Sequence, residues 1–263
     1  MGEMEHTLAI VNQKGGVGKT TVTLGLASAA AAAGARVLVV DLDPQASSTW
    51  VLGIDPATTM LGTADVLRKC PIADAIVPSG WSDRVDVVPA SSGLQHLVDD
   101  KPRRLRRALR ALPPREASRT RGATYDAILL DCPPANDGLT TNALVAARHA
   151  LVVVEPSALG LRGIGALADT IDGIWDEHNP DLELSGVILN RVPAVSAEAT
   201  ERVAELEMIV GSSAVWEPYI PQRVALNRAV GARRPIHSYG QRTADICAVF
   251  DLLWQRLVAT IAR

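Results

Sequence analysis

The sequence predicts an α/β protein: one doubly wound, mostly parallel β-sheet flanked by helices. Three observations predict it. Short runs rich in Val, Ile and Leu recur along the chain with helical stretches between them, the rhythm of βαβ units. Hydrophobic residues make up 48% of the 263, but aromatics only 3% with a single Phe, so the core must be aliphatic and alanine-rich, as parallel strands covered on both faces require. The first apolar run passes through a glycine-rich loop straight into an Ala/Leu-rich stretch that lacks proline and stops at Gly34.

Taken in order, strands are expected at Thr7–Asn12, Arg36–Asp41, Val85–Pro89, Ala127–Asp131, Ala150–Val154, Ser185–Asn190 and Ala214–Pro218. Helical patterns fall at Lys19–Ala33, Arg103–Leu112, Leu139–Ala147, Gly163–Glu177, Ala197–Val210, Arg223–Val230 and Arg242–Ile261. Right-handed crossovers would place these helices on both faces of the sheet. With no internal repeat and no long linker, the whole chain, 1–263, reads as one domain, with a flexible N-terminus over Met1–His6 and a mobile loop over Pro113–Thr124.

Composition narrows the chemistry. A net charge of −3 excludes a globally basic nucleic-acid binder, so any such contact must come from a local patch. Cys70, Cys132 and Cys247 are far apart, with no Cys-x-x-Cys pair, which argues against a disulfide framework or a zinc site. The first residues are too short and too acidic for a signal peptide, and no apolar run reaches membrane-spanning length, so a reduced, cytoplasmic protein is expected.

The chemistry gathers at the ends of three strands, where ligands of open α/β sheets bind. The loop Lys14-Gly-Gly-Val-Gly-Lys-Thr20 has the strand–loop–helix context of a phosphate cradle: inward-turned N–H groups and a helix N-terminus attract anions. Lys19 would reach the β/γ-phosphates, and the Thr20 hydroxyl would sit on Mg²⁺. Gln13 stands where the generic pattern wants Gly, and Lys14 supplies a second lysine. The second strand runs into Asp41-Leu-Asp43 and the fourth into Asp131-Cys-Pro-Pro134. Strand-end carboxylates beside such a loop hold Mg²⁺, directly or through water. Asp41 and Asp43, two apart, would point the same way in an extended chain, both able to face the γ-phosphate.

Together with Val187-Ile-Leu-Asn-Arg-Val192 and Ile220-Pro-Gln-Arg-Val-Ala-Leu-Asn-Arg-Ala229, these segments resemble the ParA/MinD class of ATPases, the deviant Walker A family of P-loop proteins, in family order over nearly the whole chain. The resemblance implies ATP and Mg²⁺ as cofactors. It implies an ATP-dependent homodimer in which Lys14 reaches the partner's ATP, with Gly15, Gly16, Val17, Gly18, Lys19 and Thr20 cradling phosphate and Thr21 contacting the α-phosphate. Asp43 would position the attacking water, Asp41 would support Mg²⁺ and that water, and Asp131 would hold the Mg²⁺ shell. Asn190 would read adenine, with Pro221 near the base.

Two basic segments bear on the partner. Lys101–Arg121 includes a helical stretch with Leu105, Leu109 and Leu112 on one face, expected to be a surface helix with solvated arginines. Gln222–Ala244 carries Arg223, Arg228, Arg233, Arg234 and Arg242 and no acid. Because the family's DNA-binding surface includes this region, the resemblance implies non-specific DNA binding, a ParB-like centromere-binding partner that stimulates slow hydrolysis, and a nucleoid-associated location. The alternative is a MinD-like ATPase cycling on a membrane or protein assembly, but the span Ala244–Arg263 has few cations and reads as a helix packed on the body. An iron-protein type would need two well-placed cysteines, and a tyrosine-kinase type would need clustered tyrosines; the chain offers neither. Trp50 could line the dimer interface or the core, Trp81 suggests no function, and His96, His149, His178 and His237 read as surface or helix-end residues.

Overall fold

A computed structural model describes residues 6–97, 101–112, 125–134 and 138–262. The loop expected at 113–124 and all but His6 of the N-terminal segment lie outside them. The strands are β1 (Thr7–Val11), β2 (Val37–Asp41), β3 (Val77–Pro78), β4 (Val85–Val88), β5 (Ala127–Asp131), β6 (His149–Val154), β7 (Glu183–Leu189) and β8 (Val215–Trp216). They form one sheet in the order β3-β4-β2-β5-β1-β6-β7-β8, parallel throughout except for the antiparallel edge pair β3–β4. The expected fold class is correct.

Alternation along the strands feeds two cores, one on each face. Ala9 and Val11 of β1 face the first with Leu38 and Val40 of β2; Leu8 and Ile10 face the second with Val37 and Val39. The first face is covered by α3 (Thr63–Leu67), α5 (Arg104–Leu109), α6 (Gly138–Ala146), α7 (Ala158–Glu177) and α8 (Ala197–Val210), and α4 (Ile72–Ala75) contributes Ile72 and Ala75. The second is covered by α1 (Lys19–Ala32), α9 (Val224–Gly231) and α10 (Ala244–Ile261), with α2 (Ser47–Val51) supplying Val51. The single Phe explains how tightly this side packs. Phe250 of α10 is fully buried, and a Cβ at Gly25 of α1 would lie 2.0 Å from its ring, so only glycine admits it. The expected terminal helix is therefore packed on the body: Ile246, Leu253, Trp254 and Leu257 are buried alongside Phe250. Among the described residues, no helix is long and apolar enough to cross a membrane.

The differences from expectation have simple causes. β3, α2, α3 and α4 are only two to five residues long, too short to show a period. Helix α7 starts five residues before the expected Gly163, because Ser157 caps it by accepting a hydrogen bond from the Gly160 N–H. His149 is not a surface residue but opens β6, buried, with Nδ1 2.7 Å from the Ser185 hydroxyl.

Candidate nucleotide site

The glycine loop leaves β1 at its carboxyl end and enters α1 at Lys19. Gly16 (φ 82°) and Gly18 (φ 92°) take the left-handed conformation that side chains disfavour. A Cβ on Gly18 would come within 2.1 Å of the Asn190 amide nitrogen, whereas one on Gly16 would meet nothing within 4 Å. The loop is thus pinned on one side and open on the other.

Lys19 is buried at the foot of this loop. Its ammonium donates to the carbonyls of Asn12 (3.0 Å) and Lys14 (3.4 Å). Burial lowers its pKa, while Asp131, Cys132 and Asp43 nearby oppose that shift. Asp131 and Asp41 end β5 and β2 as register partners, both fully buried. Asp131 accepts from Thr20 (2.8 Å) and Ser48 (2.6 Å) through Oδ2 and from Thr23 (3.3 Å) through Oδ1. Asp41 accepts from the Thr49 N–H (2.8 Å), the Thr49 hydroxyl (2.7 Å) and the Asp43 N–H (3.1 Å). Both carboxyls are raised well above the usual range, chiefly by burial; for Asp41 the neighbouring Asp131 charge is the second cause. Two buried carboxyls with hydrogen bonds from hydroxyls and amides face one buried ammonium, Lys19, so the site is short of positive charge.

Asp43 lies beyond the end of β2 and is half-buried, its Oδ1 accepting from the Gln45 N–H (2.9 Å). It does not share the sealed surroundings of Asp41, because the strand that would align them stops at Asp41. Lys14 is also half-buried, its backbone N–H bonded to Asn12 and its ammonium 3.9 Å from Glu155. Thr21 is half-buried on the first turn of α1. Asn190 is buried beside the loop; it donates to the Val17 carbonyl (2.7 Å), while its Oδ1 has no hydrogen-bond partner. Pro221 bridges to Val192, which brings its segment beside Asn190.

Several residues of this site escaped the sequence reading, among them Thr23, which bonds Asp131, and Asn12, which bonds Lys14 and Lys19. Ser48 and Thr49 sit in α2, directly after the Asp43 turn, and bond the two buried carboxyls. Glu155 follows β6 and pairs with Lys14 and with Arg191 (2.8 Å), whose guanidinium also donates to the Gly16 carbonyl (2.7 Å). The Ser-Ser-Thr run after Asp-Pro-Gln and the acid after a Val-rich strand were the available signals.

The arginines of the second basic segment are not all free. Arg223 pairs with Asp245 (3.0 Å), just beyond the stretch that lacks acids; Arg233 lies over the Trp50 ring and Arg234 over Tyr239. Arg228 and Arg242 are exposed. In the first basic segment, Leu105 and Leu109 are buried as expected, but Arg104 and Arg106 are not simply solvated. They donate to the carbonyls of Leu67 (2.8 Å) and His178 (3.3 Å).

A family model described as an AAA domain matches residues 5–184. The chromosome partitioning protein ParA of Caulobacter vibrioides is 35% identical over 248 residues, covering 94% of this chain and 92% of that one. This chain belongs to the ParA/Soj family of chromosome-partitioning ATPases. The sporulation initiation inhibitor protein Soj of Bacillus subtilis is 33% identical over 255 residues, with 95% and 97% covered. Among solved structures, a Mycobacterium smegmatis protein described as cobyrinic acid a,c-diamide synthase with bound ADP and magnesium superposes with a TM-score of 0.78. It is 26% identical, with 95% of this chain and 92% of that one covered. ParA/Soj membership and the shared P-loop fold agree with the resemblance carried by the motifs.

Proposed function

We propose that this ParA/Soj-family ATPase binds ATP and Mg²⁺ in the pocket above, forms an ATP-dependent homodimer, binds DNA without sequence preference and releases it on hydrolysis. The observation that carries the reading is the convergence of Lys19, Thr20, Asp131 and Asp41 at the carboxyl ends of β1, β5 and β2.

The residues fit the cofactors. Mg²⁺ is usually held by one or two carboxylates together with substrate phosphates. Among the described residues, no group of three or more His, Cys, Asp or Glu competes for such an ion. Asp131 and Thr20 would hold the cation with Asp41 behind them, and the bound cation would neutralise phosphate charge. The unpartnered Oδ1 of Asn190 suits an adenine amino group, with Pro221 beside the base. Gly15 to Gly18 give the phosphates backbone N–H groups, Thr21 the α-phosphate a hydroxyl, and Lys19 an ammonium that exchanges two carbonyls for phosphate oxygen. Asp43, half-exposed beside this pocket, is the group that orients water for in-line attack.

Lys14 is the lysine for the partner's nucleotide. Facing triphosphates repel strongly, and one cation from each protomer makes pairing depend on the γ-phosphate. DNA contact falls to Arg223, Arg228, Arg233, Arg234 and Arg242, where few aromatics suit phosphate contact without base stacking. A ParB-like partner bound at a centromere-like site stimulates the slow hydrolysis, and the protein works on the nucleoid.

The test is phosphate release from the purified protein, alone, with duplex DNA, and with DNA plus a cognate ParB-like protein. Slow release that rises with both additions and disappears in Asp43→Ala supports the reading. Release that Asp43→Ala leaves intact contradicts the assigned chemistry.

A further inference from the structure

The Asp43 turn and the arginine segment are far apart in sequence but joined through one indole. The Trp81 Nε1–H donates to two carbonyls at once: Val51 at the end of α2 (3.0 Å) and Arg233 (3.1 Å). Arg233 closes the junction from the other side. Its Nε donates to the Trp50 carbonyl (2.7 Å), and its guanidinium lies 5.2 Å from the centre of the Trp50 ring.

The surrounding backbone is built to bring these groups together. The Gly80 N–H donates to the Leu52 carbonyl (2.7 Å), and a Cβ on Gly53 (φ 98°) would lie 3.0 Å from the Gly80 Cα. A side chain at Gly53 would therefore press on Gly80, the residue just before Trp81. Arg233 itself holds a left-handed φ of 55°, an uncommon conformation for a non-glycine residue that its surroundings must enforce. Thr21 on the first turn of α1, Val51 of α2, Trp81 and Arg234 line one small cavity of about 20 Å³, so four segments converge there.

The other end of α2 is anchored in the nucleotide site. Ser48 bonds Asp131 and Thr49 bonds Asp41, the two carboxyls that Mg²⁺ would engage. A five-residue helix tied to those carboxyls at one end and to Arg233 at the other cannot shift at one without the other.

We propose that Trp81 and Arg233 form the linkage by which nucleotide occupancy sets the position of the DNA-contacting arginines, with Trp81 as a positioning residue. This rests on the reading of that segment as the DNA contact. Ligands can bias each other only through an element whose arrangement differs between states. The ties of α2 to Asp131 and Asp41 on one side and to Trp81 and Arg233 on the other put it where such an element would have to lie.

The experiment is fluorescence anisotropy of a labelled duplex, titrated with full-length protein in Mg²⁺-ATP and in Mg²⁺-ADP, comparing Trp81→Phe with wild type. Phe keeps an aromatic ring there, though a smaller one, and removes the N–H that spans the two carbonyls. The expected result is an ATP-to-ADP affinity ratio reduced by roughly fivefold or more, with ATP affinity itself unchanged. Trp175→Phe, on the exposed side of α7, should leave the ratio as in wild type. If Trp81→Phe does not fold, Trp81→Tyr gives the same test: it keeps a larger aromatic ring but still lacks the indole N–H that reaches the Val51 and Arg233 carbonyls. A ratio equal to wild type in the folded variant overturns the linkage. A wild type that binds no duplex with either nucleotide overturns the DNA reading itself, and the two failures are distinguishable.

Discussion

Asp41 and Asp131 stand opposite each other at the ends of β2 and β5, in register and without solvent exposure. Two like charges sealed at adjacent strand ends are unfavourable, and the fold tolerates them by keeping them protonated or by giving them donors. Thr20, Thr23, Ser48, Thr49 and the Asp43 N–H supply the donors. The arrangement makes sense as a receptor for a cation arriving with an anionic ligand.

That pair gives the ligand-free protein a signed pH dependence. Burial and Asp131 push Asp41 up to about 7 from the ordinary carboxyl value of 3.8. Between those limits the folded state holds more protons than the unfolded one, so stability falls as pH rises through that window. Asp41→Asn removes the titrating group. Thermal melts without nucleotide should show the variant gaining on wild type as pH rises from about 4 to about 7. A constant difference across that range would contradict the account.

The arginine segment should bind DNA in a salt-dependent way. Each lost phosphate contact lowers the slope of log affinity against log salt by roughly 0.9. Arg223→Ala with Arg234→Ala should therefore lower it by about 1.8, equally for duplexes of unrelated sequence. Asp245 neutralises Arg223 in the structure, so Asp245→Asn should strengthen DNA binding at low salt. Weaker binding by that variant would place Arg223 outside the interface.

Core packing can be tested independently of function. Phe250 fills the space that Gly25 leaves between α1 and α10, so Phe250→Ala should cost about 3–5 kcal/mol by chemical denaturation. Because α1 carries the phosphate loop, ATP affinity should fall as well. A loss below about 1 kcal/mol would mean that the helices close the gap.

The sequence made some parts of this molecule legible and hid others. The phosphate loop was readable because glycines, lysines and a long helix lie consecutively, and α8 runs from Ala197 to Val210 as its periodicity predicts. Asp41 and Asp131 were readable as acids ending apolar strands. Ser48 and Thr49 were not, since small hydroxyls in a five-residue helix carry no period or charge. The ties of Arg223 to Asp245 and Arg233 to Trp50 were hidden too, because they arise from tertiary contact and not from local composition. Trp81 gave no sequence signal because its partners, Val51 and Arg233, lie 30 and 152 positions away.

The most direct test of the central claim is sedimentation of the Asp43→Ala protein, which should retain ATP, with and without Lys14→Ala, in Mg²⁺-ATP and in Mg²⁺-ADP. The account predicts a dimer only with ATP and only when Lys14 is present, and a monomer in the other three conditions. A Lys14→Ala protein that still dimerises with ATP would contradict it.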